Sequence, residues 1–92
     1  MSDEKTVLQA AIDQYGVYAQ CLMLFEEMAE LQKEVCKNFR GDNNTEEIAE
    51  EIADVEIMLA QVKMMFDIAE EAARYRESKI QRLWKRLRGN NA

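Results

Sequence analysis

The stretch QCLMLFEEMAELQKEVCKNFRGDNNTEEIAEEIADVEIMLAQ, residues 20–61, decides the fold, because it reads as two helices joined by a short polar loop, each with carboxylates at helical spacing. Gln20, Met23, Glu27, Glu30 and Glu34 recur every three or four positions and share one strip of the first helix. Glu47, Glu51, Asp54, Met58 and Gln61 form the same kind of strip on the second. If the loop Asn38–Asn43 turns the chain back on itself, residues at one height have numbers of constant sum. That rule sets Glu34 opposite Glu47, Glu30 opposite Glu51, Glu27 opposite Asp54, Met23 opposite Met58 and Gln20 opposite Gln61. The strips are then in register, acidic near the turn and apolar further from it. Carboxylates held this close repel by roughly 1 kcal/mol per pair in water, and by more when partly buried. Lys33, Lys37 and Lys63 are expected to project from other sides of their helices, which leaves protonation of some acids or a bound divalent cation as relief. Hard oxygen ligands, with no His in the chain and no paired Cys, favour Mg²⁺ or Mn²⁺ over zinc or copper.

Outward from this seam, 92 residues make a single domain, 1–92. No Pro and three Gly leave few breaks, so long helices follow, about 5–14, 17–38, 45–65 and 68–87, with a frayed tail at 89–92. Tyr15-Gly16 interrupts the first two; Tyr15 and Tyr18 there either pack at the junction or form an aromatic wall for a nucleobase. The main apolar stripe of helix 17–38 includes Tyr18, Leu22, Phe25, Met28 and Phe39 and lies nearly opposite the acids. Helix 45–65 is apolar on two sides, one carrying Ile48, Ile52, Val55 and Leu59, the other Ala49, Ala53, Ile57 and Ala60. The Ala-rich side is expected to pack on another subunit, although a further helix of the same chain could serve. Asn44-Thr45-Glu46-Glu47 and Asp67-Ile68-Ala69-Glu70 have the form of capping boxes that open the last two helices. Asp42-Asn43-Asn44 lacks the Gly and Glu offsets of a calcium loop. The expected fold is therefore all-α, an antiparallel helical bundle built on a long two-helix hairpin and completed by oligomerisation.

The net charge of −6 is unevenly spread: from Glu71 onward seven Lys or Arg against two Glu give +5, so the remainder carries −11. Within Lys79–Arg88 the basic residues alternate with Ile80, Leu83, Trp84 and Leu87. This amphipathic segment is a solvated helix end favoured by the helix dipole, a set of cations for a neighbouring site, or a patch for nucleic acid or a membrane surface. Cys21 and Cys36, about four turns apart on one helix, cannot bridge within it and read as buried reduced thiols. The polar, acidic start has no signal-peptide character and no apolar run nears the ~20 residues of a membrane span, so a cytoplasmic protein without membrane partners is expected.

The absence of His excludes Ser-His and Cys-His nucleophile pairs and the Glu-x-x-His ligands of di-iron bundles, and no Gly-rich loop precedes a helix. A carboxylate cluster for a hard divalent metal remains, most commonly used in phosphoryl or nucleotidyl chemistry. Glu27-Met28-Ala29-Glu30 and Glu51-Ile52-Ala53-Asp54, with Ala19-Gln20 before them and Lys79-Ile80-Gln81-Arg82-Leu83 after, resemble the Glu-x-x-Glu and Glu-x-x-Asp signature of the MazG-like all-α nucleoside triphosphate pyrophosphohydrolases. The likeness covers roughly Gln14–Leu87 and is nearest to the small single-domain members of bacteria and phages. It implies cleavage of a nucleoside triphosphate, often a deoxy or noncanonical one, between the α and β phosphates to the monophosphate and pyrophosphate. It also implies Mg²⁺, or Mn²⁺ in its place, on Glu27, Glu30, Glu51 and Asp54, with one of these, or Glu34 or Glu47, orienting the attacking water. Lys79 and Arg82, from the same or a partner subunit, would hold the outer phosphates, and Gln20, Met23 and Met58 would line the nucleoside pocket. Family members are homodimers or homotetramers, and the setting would be the cytoplasm, or the host's if the chain is phage-encoded. The phosphoribosyl-ATP branch often carries a His near the second motif, which this chain lacks. The rival expectation is a noncatalytic helical oligomer or adaptor that binds nucleic acid or protein through its basic C-terminal helix.

Overall fold

The computed structural model describes residues 3–89, and these form four α-helices: α1 (Glu4–Tyr15), α2 (Val17–Phe39), α3 (Thr45–Phe66) and α4 (Ala69–Leu87). Of the expected tail, residues 90–92 lie outside the described residues. Asp3 opens α1: its carboxylate accepts from the Thr6 backbone N–H at 2.9 Å and from the Thr6 hydroxyl at 3.2 Å. Those bonds hold the Asp3 carboxyl below its usual range, the backbone N–H contributing most. Gly16 alone separates α1 from α2, with φ 92° and ψ 155°, a conformation that residues with a Cβ rarely adopt. This corner brings α1 across α3, so Leu8 and Ile12 are buried and Leu8 shares a crevice with Ala53, Ile57 and Ala60. The Ala-rich side of α3, expected to meet another subunit, is thus partly covered by the chain's own first helix.

The long helices α2 and α3 run antiparallel. Asn44, just before α3, donates its side-chain N–H to the Glu34 carbonyl oxygen at 2.8 Å and to Glu34 Oε1 at 2.9 Å; at the far end Gln20 Nε2 donates to Gln61 Oε1 at 2.7 Å. Asn44 occupies the N-cap position but makes no side-chain cap bond, contrary to the expected capping box, because its amide is drawn across to α2 instead. The second expected box also fails to form. Asp67 ends α3 in the left-handed region (φ 53°, ψ 50°), which Asp tolerates, and Ile68 stands before α4 without a side-chain cap.

The interior follows the seam and not the apolar stripes. Leu24 and Met58 are buried in it together with Gln20, Glu34 and Gln61. Tyr18, Phe25, Met28 and Phe39 of α2 and Ile52, Leu59 and Phe66 of α3 are exposed. Helical periodicity defines two faces of α2, and the short Arg40–Asn44 connection turns the acidic one toward α3. Cys36 is exposed, which corrects its expected burial, while Cys21 is half-buried with Sγ 3.8 Å from Met65 Sδ. No residue of α4 is buried, and the helix touches only α3. Among the described residues no helix is long and apolar enough to cross a membrane.

Candidate metal centre

Glu51 and Asp54 stand three apart on α3 and so project from one face; Glu27 reaches them from α2. One carboxylate oxygen from each of the three lies within 4.8 Å of the others. Glu27 and Glu51 are half-buried and Asp54 is exposed, so the cluster is enclosed on one side and open on the other. Glu51 Oε2 is shut off from solvent and has no hydrogen-bond partner. A buried charged oxygen left without a donor is costly, and a cation would satisfy it. Two oxygens on one Mg²⁺ ion sit at most about 4.2 Å apart, so small side-chain rotations would let all three share it. The all-oxygen donor set suits a hard dication.

Without a cation the cluster favours a proton on Glu27 below about pH 7. The Glu27 carboxyl is pushed up from its usual 4.5 to about 7, first by burial and then by the neighbouring carboxylates of Asp54 and Glu51, which favour its protonated form. An acid whose folded value exceeds its unfolded one binds more protons when folded, so the metal-free chain loses stability as pH rises from about 4.5 to about 7 and levels off above. Mg²⁺ competes for the site, and its stabilising effect should therefore be small at pH 5 and several degrees larger at pH 7.5. Thermal melts at the two pH values with and without Mg²⁺ check this; equal shifts would count against a cation at Glu27.

The other expected site residues are placed as follows. Glu30 lies exposed one turn beyond Glu27 on α2, outside the trio. Glu34 is buried and both its oxygens are engaged, Oε1 by Asn44 and Oε2 by Lys37 Nζ at 3.2 Å. The Asn44 bond is the main cause that holds its carboxyl below the usual range, with Lys37 adding to it. Lys37 thus reaches back to the seam, contrary to the expectation that it points elsewhere, and Glu34 ties the loop to α2. Glu47 is exposed. Lys79 and Arg82 are exposed on α4, which makes no contact with α2, the helix that carries Glu27. Met58 is buried, 3.9 Å by its sulfur from Gln61 Nε2, and Met23 is partly exposed. Gln20 and Met23 line a groove of about 430 Å³ with Tyr15, Ala19, Leu22 and Glu26, one turn from Glu27. The Gln20–Gln61 bond bears out the expected register of the two strips, whereas the bonds of Asn44 to Glu34 escape a reading of the sequence, since a polar residue at a helix start carries no sign of its tertiary bond.

No match to this chain was found among models of protein families, among curated proteins or among solved structures.

Proposed function

We propose that this chain is a Mg²⁺-dependent nucleoside triphosphate pyrophosphohydrolase of MazG-like type, which cleaves an NTP or dNTP between the α and β phosphates. The observation that carries the reading is the cluster of Glu27, Glu51 and Asp54 around the partnerless Glu51 Oε2, beside an apolar groove. Mg²⁺, when bound by these acids with Glu30 beside them, supplies charge neutralisation to the triphosphate and lowers the pKa of attacking water. One carboxylate of the set takes the proton as the water oxygen bonds to the α phosphorus and the bond to the bridging oxygen breaks, releasing pyrophosphate. Gln20 and Met23, with Tyr15 across the groove, hold the nucleoside; Lys79 and Arg82, brought by a partner copy, meet the outer phosphates of the substrate. Glu47 stands ready beyond the direct ligands to orient water. The chain works as a cytoplasmic homodimer or homotetramer, its bundle completed by association. The test is a panel of NTPs and dNTPs with Mg²⁺, read by pyrophosphate release. Turnover above the protein-free rate, abolished by chelation, is the expected result, and no release from any nucleotide would end the proposal.

A second reading draws on the basic α4, none of whose residues is buried: a noncatalytic oligomer that binds nucleic acid or protein. Its signature is salt-sensitive nucleic-acid binding lost on substitution of Lys85 and Arg86.

A further inference from the structure

We infer that α4 is an arm that docks on a second copy of this chain, laying its apolar edge on the open face shared by α2 and α3. Size gives the first reason. The chain exposes 7450 Å², whereas a folded monomer of 10.7 kDa exposes about 5,500 Å². Its radius of gyration is 16.6 Å against about 12 Å for a compact domain of this length. The excess of about 1,900 Å² per copy, doubled for a pair, falls within the roughly 2,000–5,000 Å² of obligate dimers.

The second reason is the fit of the two surfaces. Ile80, Leu83, Trp84 and Leu87 form one edge of α4, each about half or more exposed. Counted from the seam at about 100° per residue, Phe25 and Met28 of α2 and Ile52, Leu59 and Phe66 of α3 turn to one side of the helix pair, away from α1. They form an open apolar face that no helix of the same chain covers. Charge selects the occupant. Lys79, Arg82 and Arg86 border the α4 edge in a segment of net +5, and the remainder of the chain carries −11. Lys37 with Glu34 is the one ion pair among the described residues, so the other acids of the body are left for cations from elsewhere. A second copy presents an arm of the right sign, length and apolar edge, and it receives the first copy's arm in return, which closes the pair with two-fold symmetry.

The only tryptophan is Trp84, 53% exposed in the single chain, so it reports docking directly. The full-length protein is measured by light scattering for mass and by Trp emission and acrylamide quenching. Expected are a mass of at least twice 10.7 kDa and a blue-shifted, shielded Trp84 that reverts to a water-exposed spectrum on dilution. Phe25→Glu, on the receiving face, should weaken association at least roughly 30-fold and expose Trp84 while helicity by circular dichroism is kept; Ile52→Glu repeats the test from α3. A chain that stays at monomer mass, a dimer whose Trp84 is quenched as freely as free tryptophan, or helical Phe25→Glu and Ile52→Glu variants with Trp84 still shielded would each overturn the inference. So would a monomer whose Trp84 becomes shielded only on added duplex DNA. None of these readouts uses catalysis, so a shielded dimer that hydrolyses nothing upholds the arm and sinks the hydrolase reading.

Discussion

On the proposed hydrolase reading, replacing Glu51 with Gln should lower Mg²⁺-dependent pyrophosphate release by roughly 10³-fold, the loss seen when one preorganised electrostatic contact is removed from an active site. The same change should leave the fold intact or slightly more stable. In the parent, Glu51 Oε2 is a buried oxygen without a donor, and the Glu51 charge is one of the causes that push Glu27 upward. A carboxamide of the same shape removes that charge and offers N–H groups to the neighbouring carboxylates. Stability and activity therefore move in different directions, which separates loss of a cation site from loss of structure. Asp54→Asn should behave alike, with a weaker stability effect because Asp54 is exposed. Variants that turn over like the parent would show that these acids do not hold the catalytic ion.

Met58→Ala has the largest expected effect on stability. Among the described residues only Leu8, Ile12, Leu24 and Met58 are buried apolar residues, and Met58 fills the space between the α2 and α3 strips. Truncating a buried Met typically costs about 2–5 kcal/mol, because the cavity closes only in part. In a domain of this length each kcal/mol moves Tm by about 4–8 °C, so the midpoint should fall by at least about 8 °C. The loss also removes the sulfur that accepts from Gln61, which loosens the Gln20–Gln61 bond at the apolar end of the seam. A shift of only a degree or two would mean that Met58 is not held as the structure places it.

The residues make some of this legible from sequence and hide the rest for physical reasons. An absence of Pro and unbroken three-and-four spacing predict helices at 17–38 and 45–65, close to the observed Val17–Phe39 and Thr45–Phe66. Spacing also groups Glu51 with Asp54, since i and i+3 share a face wherever the helix goes. Which face of α2 turns inward is not local information: Phe25 and Met28 look more core-like than Glu27 and Gln20, and only the matched spacing of the two strips points to the latter, a register that the Gln20–Gln61 bond bears out. Asn44 shows the same limit. A residue able to cap its own helix or bond a neighbouring one is settled by what stands opposite, here the Glu34 backbone and carboxylate. For α4, composition reveals an amphipathic basic helix and says nothing of its partner, because in one chain almost all of it stands free.

The backbone at Gly16 has a wider effect than its size suggests. Space around it is open, so a side chain there would meet no clash and only the strain of the positive φ. With a side chain at this position the easiest conformation is continued helix, and Glu4–Phe39 would straighten into one shaft of about 54 Å. Leu8 would swing off Ala53 and Ala60 and Ile12 would lose its burial, stripping the molecule of its N-terminal layer. The folded-back geometry of the first third of the protein hangs on one achiral pivot.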